Sequence, residues 1–346
     1  MNPPPPQHSS QQPSSIHDFR VHPIDDTAEI DASPCPVCGS ERGTPRFRVD
    51  SISAPVILCP SCGLGRFDPM LTDAEIGELY TEDYYGRPGT KFRPIVERLV
   101  RAVAARHISF LSRGLTRGAR ILDVGCGRGV LFGPLADAGF EVYGVEVNED
   151  AVRGCDPRAK IRIAPRLSEA KFEEGLFDLV VIWHVLEHLP APDETITECR
   201  RILKPGGRLI VAVPNFSSAQ ARWSGPHWFH LDPPRHLYHF PYAALCRLVE
   251  NQGFDVQSSH HFSLRQNPFG WIQSALNRVT RQPMGGLYTL LHRGEGGRTV
   301  PFGLATRAAM WAALVVGAPA AIGLSVIAAW RETGATVHIV ATRRDD

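Results

Sequence analysis

A run of glycines and two acids marks a place where the chain could bind a nucleoside. The sequence DVGCGRG at residues 123–129 follows an apolar run, and the next apolar run, EVYGVEV, carries Glu146 near its end. Glycines let a backbone turn sharply and approach a ligand closely beside a helix N-terminus. A carboxylate that ends the following strand can accept hydrogen bonds from both hydroxyls of a ribose. The alternative is a tight turn beside a surface acid, and it would leave the pairing of the two features unexplained.

Half of the eight cysteines stand in two Cys-x-x-Cys turns. CPVCGS holds Cys35 and Cys38, CPSCGLG holds Cys59 and Cys62, and residues 39–58 separate the pairs. Each turn can point two thiolates at one ion, and two turns complete a tetrahedral four-thiolate zinc site. A single redox pair of the thioredoxin kind is the alternative, and it lacks a βαβ context here. We therefore predict a zinc ribbon whose metal has a structural role.

Histidines and one acid form another set of residues that could do chemistry. HVLEH at residues 184–188 ends a further apolar run, and residues 216–240 form an aromatic, histidine-rich segment that includes His236. Imidazoles and carboxylates are ligands for Zn, Mn or Fe, and an imidazole titrates near physiological pH. His236 and His188 are therefore candidate catalytic bases. Packing histidines and a plain structural cap after the strand are the alternatives.

The elements that must position these residues alternate between strand and helix from Arg120 onward. The apolar runs are ILDVG, EVYGVEV, KIRIA, FDLVVIW, RLIVAVPN and FDVQSS. Continuous apolar strands that alternate with helices are typical of a doubly wound, mostly parallel sheet with helices on both faces. The segment 216–240 follows the fifth run, near the carboxyl ends of the strands, where a lid would lie.

Five motifs, in order, resemble those of the class I S-adenosylmethionine (SAM)-dependent methyltransferases. They are LDVGCGRG, VYGVEV, FDLVVIWHVLEHL, RRILKPGGRLIVAVPN and DPPRHLYHF. The match covers about residues 120–263, and TVHIVATRR near the C-terminus resembles the family's last strand. The resemblance implies a three-layer, Rossmann-like α/β fold whose last strand is antiparallel, and methyl transfer from SAM that yields S-adenosylhomocysteine.

The resemblance also implies roles for individual residues. The implied cofactor-binding set is Asp123, Gly125, Cys126, Gly127, Gly129, Glu146, Glu169, Trp183 and His184. In the family the glycine loop lines the methionine end of SAM. Glu146 would bind the ribose, although Asp is frequent at this position, and Glu169 would meet the adenine amine. Trp183 and His184 would flank the cofactor.

A second metal is implied by a narrower resemblance. Certain O-methyltransferases of ubiquinone biosynthesis and of small-RNA 2′-O-methylation carry an E-x-x-E-H metal motif where this chain has His184-Val-Leu-Glu187-His188. Here His184 replaces the first Glu, and His236 matches a later histidine of the second group. The expected second site is therefore His184, Glu187, His188 and His236.

A long uncharged segment lies near the C-terminus. Residues 308–330 carry no charge, and residues 265–307 carry six Arg against Glu295. The length is sufficient to span a bilayer, but a single crossing conflicts with TVHIVATRR returning to the sheet. Pro319, flanked by Gly317 and Gly323, predicts a helical hairpin that dips into one leaflet. A buried helix pair or a dimer interface is the alternative.

Composition and length limit the remaining possibilities. The 346 residues allow two or three domains, and a net charge of +1 argues against a chain held on nucleic acid by bulk charge. We predict a disordered tail at 1–30, the zinc ribbon at 31–66 and a helical connector at 67–118. The methyltransferase domain follows at 119–264 and 334–346, interrupted by a hydrophobic helical insertion at 265–333.

The expected location is the cytoplasm, with a peripheral or monotopic position on the inner face of the membrane as the more specific expectation.

The predicted function is SAM-dependent methylation of a small-molecule, sugar or lipid-linked acceptor, by O- or C-methylation. No nucleic-acid partner is expected. A non-catalytic module that uses the ribbon and the nucleoside site for recruitment is the first alternative. An NAD-dependent oxidoreductase is the second, and it is disfavoured because dinucleotide folds prefer G-x-G-x-x-G to the G-x-G-x-G of this chain.

Overall fold

A seven-stranded sheet forms the centre of the molecule. The computed structural model describes residues 19–26, 28–50, 52–72, 74–76, 108–280, 285–291 and 302–345. The strands of this sheet are β6 (Arg120–Val124), β7 (Glu141–Glu146), β8 (Lys160–Ile163), β9 (Phe177–Trp183), β10 (Leu203–Pro214), β12 (Phe254–His260) and β13 (Thr336–Arg343). Their spatial order is β12-β13-β10-β9-β6-β7-β8. Strands β6 to β10 pair in parallel, and β13 is antiparallel to both β10 and β12.

Both faces of the sheet are buried, which makes the domain three-layered. In β9, Val180 and Ile182 belong to one hydrophobic cluster, whereas Leu179 and Val181 belong to another. Neighbouring residues of a strand point to opposite faces, so the two clusters lie on opposite sides of the sheet. Helix α1 (Phe132–Asp137) contributes to the second cluster, whereas α2 (Pro192–Ile202) and α4 (Tyr242–Asn251) contribute to the first. The predicted Rossmann-like fold is confirmed.

An antiparallel sheet surrounds the four cysteines. It consists of β1 (Val21–Pro23), β2 (Ile30–Asp31), β3 (Arg42–Val49), β4 (Val56–Leu58), β5 (Gly65–Phe67) and β11 (Tyr238–His239). Strand β11 comes from the predicted lid, so the N-terminal module shares a sheet with the methyltransferase domain.

The boundary of the N-terminal tail differs from the prediction. Strand β1 pairs with β3, with Val21 opposite Val49, and Phe19 and Val21 are buried. Ordered structure therefore begins before residue 30, because pairing and burial with β3 outweigh the polar composition of the segment. Residues 1–18 of the predicted tail and residues 77–107 of the predicted connector lie outside the described residues.

Helices make up the described part of the C-terminal insertion. They are α5 (Asn267–Thr280), α6 (Gly286–Leu291) and α7 (Leu304–Trp330), and a shorter helix, α3 (Ala219–Ser224), lies in the lid. The predicted hairpin at Pro319 is wrong, because α7 continues through this residue. Proline lacks one backbone donor and can kink a helix, but its φ is helical, and the alanine-rich flanks continue the helix on both sides. Strand β13 then begins at Thr336, as the family's last strand was predicted to do.

Candidate active site

The glycine loop follows β6 and turns back against β7. The backbone N–H groups of Gly125 and Cys126 both donate to the carbonyl of Val145, at 2.8 and 3.1 Å. Gly125 has a φ of +68° and lies so close to Val185 that an added Cβ would stand 2.6 Å from a side-chain methyl. Gly127 also has a positive φ, +49°, but an added Cβ there would meet nothing within 4 Å. The loop therefore has one packed side and one open side, and the open side is where a ligand can approach the backbone.

Glu146 is held at this open side by backbone donors. The N–H of Gly127 donates to Glu146 Oε2 at 2.8 Å, and the N–H groups of Val147 and Asn148 donate to Oε1 at 2.8 and 3.2 Å. These bonds fix the carboxylate at the carboxyl end of β7, next to the loop. Its contact with ribose hydroxyls stays a prediction.

Asp123 lies buried below the loop, at the end of β6. Burial, together with the nearby charge of Glu146, raises the pKa of Asp123 to about 7. Asp123 is therefore largely protonated below neutral pH, when it can donate a hydrogen bond. Cys126 also points inward, in the cluster that contains Phe132, and burial raises the pKa of its thiol far above the usual range. Only the backbone of Cys126 faces the loop.

The remaining predicted cofactor residues lie at the same edge of the sheet. Trp183 ends β9 and packs on His338 of β13, with ring centroids 4.4 Å apart. His184 has a φ of +55°, and its backbone N–H donates to Ala212 at 2.8 Å. Gly129 has a φ of +58° and packs against Phe132 at the start of α1. Glu169 is exposed on a short 3-10 turn after β8, and its contact with adenine stays a prediction.

Glu187, His188 and His236 meet beside the loop. One ligand atom from each lies within 4.8 Å of the others. Glu187 and His188 stand on a 3-10 turn directly after β9, and His236 comes from the lid. His188 Nδ1–H donates to the carbonyl of Arg235 at 2.9 Å, and His236 Nδ1–H donates to the carbonyl of His230 at 2.8 Å. In the neutral rings the lone pair is therefore on Nε2, which is the arrangement that metal-binding histidines usually have.

The electrostatics of this group favour a cation. Glu187 Oε2 and His184 Nε2 are buried without a hydrogen-bond partner among the described residues. Burial raises the pKa of Glu187 to about 7 and lowers the pKa of both His188 and His236 below the usual value. A buried carboxylate and two neutral imidazoles form a donor set suited to Zn, Mn or Fe.

His184 does not belong to this ligand group, contrary to the expected four-residue site. Its Nδ1 lies 3.4 Å from Glu187 Oε1, so it is a neighbour of the carboxylate. The reason is that β9 ends at Trp183 and the chain turns sharply at His184, which separates its ring from the other two imidazoles. Outside the group of three, Asp232 lies next to His236, and the sequence did not single it out. Asp232 Oδ2 lies 3.8 Å from His236 Nε2. The aspartate that begins DPPRH, four residues before His236, was the available signal.

The histidine cluster and the glycine loop are directly adjacent. Val185 packs against Gly125 and continues into the turn that carries Glu187. The lid is tied to the same turn, since the N–H of Leu237 donates to the carbonyl of Glu187 at 2.8 Å, and the hydroxyl of Tyr238 donates to Pro190 at 3.0 Å. The two sets of residues therefore belong to one site.

The four predicted zinc ligands come together in the N-terminal module, whose strand β5 pairs with β11 of the lid. Cys35 Sγ and Cys62 Sγ are 3.6 Å apart, Cys38 Sγ and Cys59 Sγ are 3.5 Å apart, and all four sulfurs lie within 4.8 Å of one another. A tetrahedron with Zn–S bonds of ~2.3 Å has edges of ~3.8 Å. The cluster can therefore hold a zinc ion.

The cysteine module contacts the lid and the sheet domain. Gly65 of β5 pairs with His239 of β11, three residues after His236. Asn251 Nδ2, at the end of α4, donates to the carbonyl of Val37 between the first two cysteines at 2.9 Å. The module therefore supports the segment that carries His236.

Sequence comparisons agree with this geometry. A family model described as a methyltransferase domain matches residues 96–259. The ubiquinone biosynthesis O-methyltransferase of Maricaulis maris is 30% identical over 175 residues, which cover 44% of this chain and 68% of that protein. The enzyme of the same name from Caulobacter sp. is 37% identical over 105 residues, or 28% of this chain and 42% of that protein. For several of these relatives the chain therefore spans about half of their length.

Solved structures cover more of this chain but have lower sequence identity to it. A SAM-dependent methyltransferase from Archaeoglobus fulgidus is 20% identical, with coverage of 71% of this chain and 94% of that one and a TM-score of 0.44. A similarity with this identity and this TM-score says nothing about the substrate. The strand order, the glycine loop with its neighbouring acid, and the match to most of the Maricaulis enzyme are sufficient to place the protein. The chain belongs to the SAM-dependent methyltransferase family and is an enzyme of that family.

Proposed function

We propose that the chain transfers the methyl group of SAM to a hydroxyl oxygen of a lipid-linked, quinone-like acceptor. The observation that carries the proposal is the cluster of Glu187, His188 and His236 directly beside the cofactor loop. The names of the relatives, O-methyltransferases of ubiquinone biosynthesis, support both the oxygen and the acceptor class.

SAM would lie across the carboxyl ends of β6 and β7. The open side of the loop at Gly127 would leave room for the methionine end, and Glu146 would bind the ribose hydroxyls. Trp183 and His184, at the end of β9, would border the sulfonium side. The main task of these residues is to align the methyl donor, because the sulfonium already activates the methyl group.

The reaction is an in-line displacement. The acceptor oxygen forms a bond to the methyl carbon while the carbon–sulfur bond breaks, and S-adenosylhomocysteine leaves as a neutral thioether. The hydroxyl proton must pass to a base, and Nε2 of His188 or His236 carries the lone pair that can accept it. Their lowered pKa values keep both imidazoles in the neutral, proton-accepting form at neutral pH.

In a metal-bound form, Glu187, His188 and His236 would hold a divalent ion, and the Nε2 lone pairs would then bind the ion instead of accepting the proton. Such an ion supplies Lewis-acid chemistry, since it lowers the pKa of a coordinated hydroxyl. The fit rests on the buried, unpartnered Oε2 of Glu187 and on the two imidazoles oriented by backbone carbonyls. We further propose that Cys35, Cys38, Cys59 and Cys62 hold a structural Zn²⁺ that folds the N-terminal module.

Methyl transfer can be tested with labelled SAM and phenolic acceptors that carry a polyprenyl tail. We expect label in the acceptor and a methyl ether in its mass spectrum. His236→Ala should lower kcat by at least about 100-fold, since it removes a base or a ligand. His227→Ala, a half-buried histidine of the same lid, should leave kcat within about 2-fold. Methylation at carbon, or on tail-less sugars alone, would contradict the proposal.

Metal analysis separates the two sites. The wild-type chain should contain two metal equivalents, and Cys35→Ser/Cys38→Ser should keep one. Adding His236→Ala to that variant should remove the remaining equivalent. If the double cysteine variant holds no metal while it still transfers methyl groups, His188 and His236 act without an ion.

A further inference from the structure

Helix α7 exposes an apolar face along its whole length. By length and composition it is the one helix among the described residues that could cross a membrane. Val315, Val316 and Trp330 are 69%, 78% and 82% exposed. Other apolar residues of the same surface are Leu304, Trp311, Ile322, Leu324, Val326 and Ile327. We call this set the outer face of α7.

The polarity of the helix is the reverse of that in water-soluble proteins. A surface helix normally directs polar residues outward, whereas the polar side chain of Ser325 is fully buried and its hydroxyl donates to the carbonyl of Ala321 at 2.6 Å. Besides Met310, the inward face carries small residues such as Gly317, Ala321 and Ala328. Small residues inside and large apolar residues outside are typical of helices that face lipid.

The contacts of α7 show how it can meet a bilayer. Met310, near its beginning, and Ala321, past its middle, both belong to the cluster that contains Ile272 of α5. Helix α7 therefore lies side by side with α5. The opposite side of α5 is bonded to the lid, since Ser274 Oγ accepts the N–H of Phe229 at 3.0 Å and Asn277 Nδ2 donates to His227 at 3.1 Å. A helix fixed in this way lies flat against the domain and cannot cross a bilayer alone.

The ends of the outer face carry residues that suit a charged interface. Arg307 lies in its first turn, and Arg331 follows its last residue. Trp311 and Trp330 lie near the two ends, and tryptophan favours the boundary between headgroups and acyl chains. Beside the helices, Arg278 stands over the ring of exposed Trp223 at 5.5 Å from its centroid. The sequence from 265 to 307 adds net positive charge, with six Arg against one Glu.

We propose that the outer face of α7 is a membrane-docking surface that lies in the interface of an anionic bilayer, parallel to its plane. The apolar residues enter the acyl boundary, and the flanking arginines bind anionic headgroups. Because α5 joins α7 to the lid, docking places the lid side of the active site toward the lipid.

A second copy of the chain fits this surface less well. An antiparallel pairing of two outer faces would bring Arg307 of one helix beside Arg331 of the other, and these like charges repel, although the neighbouring Glu332 offsets part of the repulsion. A bilayer instead offers anionic groups at both ends and an apolar phase between them.

Vesicle flotation of the full chain tests the docking surface. We expect binding to phosphatidylcholine vesicles that contain phosphatidylglycerol. Val315→Glu/Val316→Glu should weaken the binding by about 10-fold or more, since it carries two charges into the acyl region. The matched control is Ile30→Glu, which changes an exposed apolar residue of β2 and should bind vesicles as the wild type does. SAM affinity should be equal in all three proteins, which shows that they are folded.

Two results would overturn the proposal. One is wild-type protein that binds SAM and stays unbound to these vesicles. The other is a dimer that dissociates in Val315→Glu/Val316→Glu while neither protein floats, which would mean that a second copy covers the helix. Neither result depends on methyl transfer, so the docking surface and the proposed reaction can fail separately.

Discussion

Two buried acids at the ends of neighbouring strands determine the chemistry of the cofactor site. Glu146 is stabilised by three backbone N–H groups, whereas burial and the charge of Glu146 raise the pKa of Asp123 to about 7. The carboxyl of Asp123 is therefore near its midpoint at neutral pH, because desolvation penalises its charged form.

Glu146→Ala should weaken SAM binding by about 10- to 100-fold, because it removes charge-assisted hydrogen bonds to a ribose and releases the N–H of Gly127. Calorimetry with SAM and with S-adenosylhomocysteine measures this change. Glu149→Ala, an exposed acid three residues later, serves as the control and should bind normally. Unchanged affinity in Glu146→Ala would exclude the ribose contact.

Asp123→Asn should change the pH dependence of stability. Asp has a pKa of ~3.9 in unfolded chains, and the folded-state value of about 7 means that the folded protein holds a proton which the unfolded chain has lost. The contribution of Asp123 to the free energy of unfolding therefore falls as pH rises from about 4 to 7, and it falls no further above pH 7. Between pH 5.5 and pH 8, the free energy of unfolding of the variant relative to that of the wild type should rise by about 2 kcal/mol. Urea unfolding at both pH values measures this difference, and an equal difference at the two pH values would refute the prediction.

At the scale of elements, the sequence patterns located the strands well and the connections less well. The runs from Arg120 onward all form strands of the predicted sheet. The central strands need continuous apolar runs because they are buried on both faces, whereas the edge strands β8 and β12 are largely exposed. The turn after β9 and His236 of the lid were placed in one expected metal site by the narrower family resemblance, and the apolar pattern gave no such connection. Their contact at Glu187 and His236 depends on how the lid folds back, and local composition does not encode that.

The close fit between the glycine loop and the turn after β9 leads to a prediction. Gly125→Ala adds a methyl group at a positive φ and against Val185, and it should cost more than about 2 kcal/mol and abolish SAM binding. Gly114→Ala is the matched control, because Gly114 has a φ of +76° but open space around it. That variant should lose about 1 kcal/mol and bind SAM. Thermal unfolding and calorimetry distinguish the two, and equal losses would remove the packing argument.

At the scale of the whole molecule, the N-terminal module and the active site form one structure. Strand β11 belongs to the sheet of the cysteine module, yet it follows His236 by two residues. The module therefore acts as a support for one wall of the site. This arrangement connects the integrity of the four-cysteine cluster with the position of a candidate base.

Disruption of the four-cysteine cluster should therefore affect catalysis more than cofactor binding. In Cys59→Ser, kcat should fall by about 10-fold, as for the loss of supporting interactions around a site, while SAM affinity stays within about 2-fold. Hydrogen exchange should increase at residues 236–240. Cys246→Ser, in α4 and outside the cluster, is the control. Unchanged exchange in Cys59→Ser would show that the module does not support the lid.

The sequence by itself determined the family, the sheet, the glycine loop and the cluster of four cysteines, because each depends on short-range spacing or on the burial of continuous runs. Only the tertiary structure decided the rest. It separated His184 from the ligand group, added Asp232 beside His236, continued α7 through Pro319 and joined the cysteine module to the lid. These features depend on contacts between distant segments, where packing and hydrogen bonding outweigh local preference.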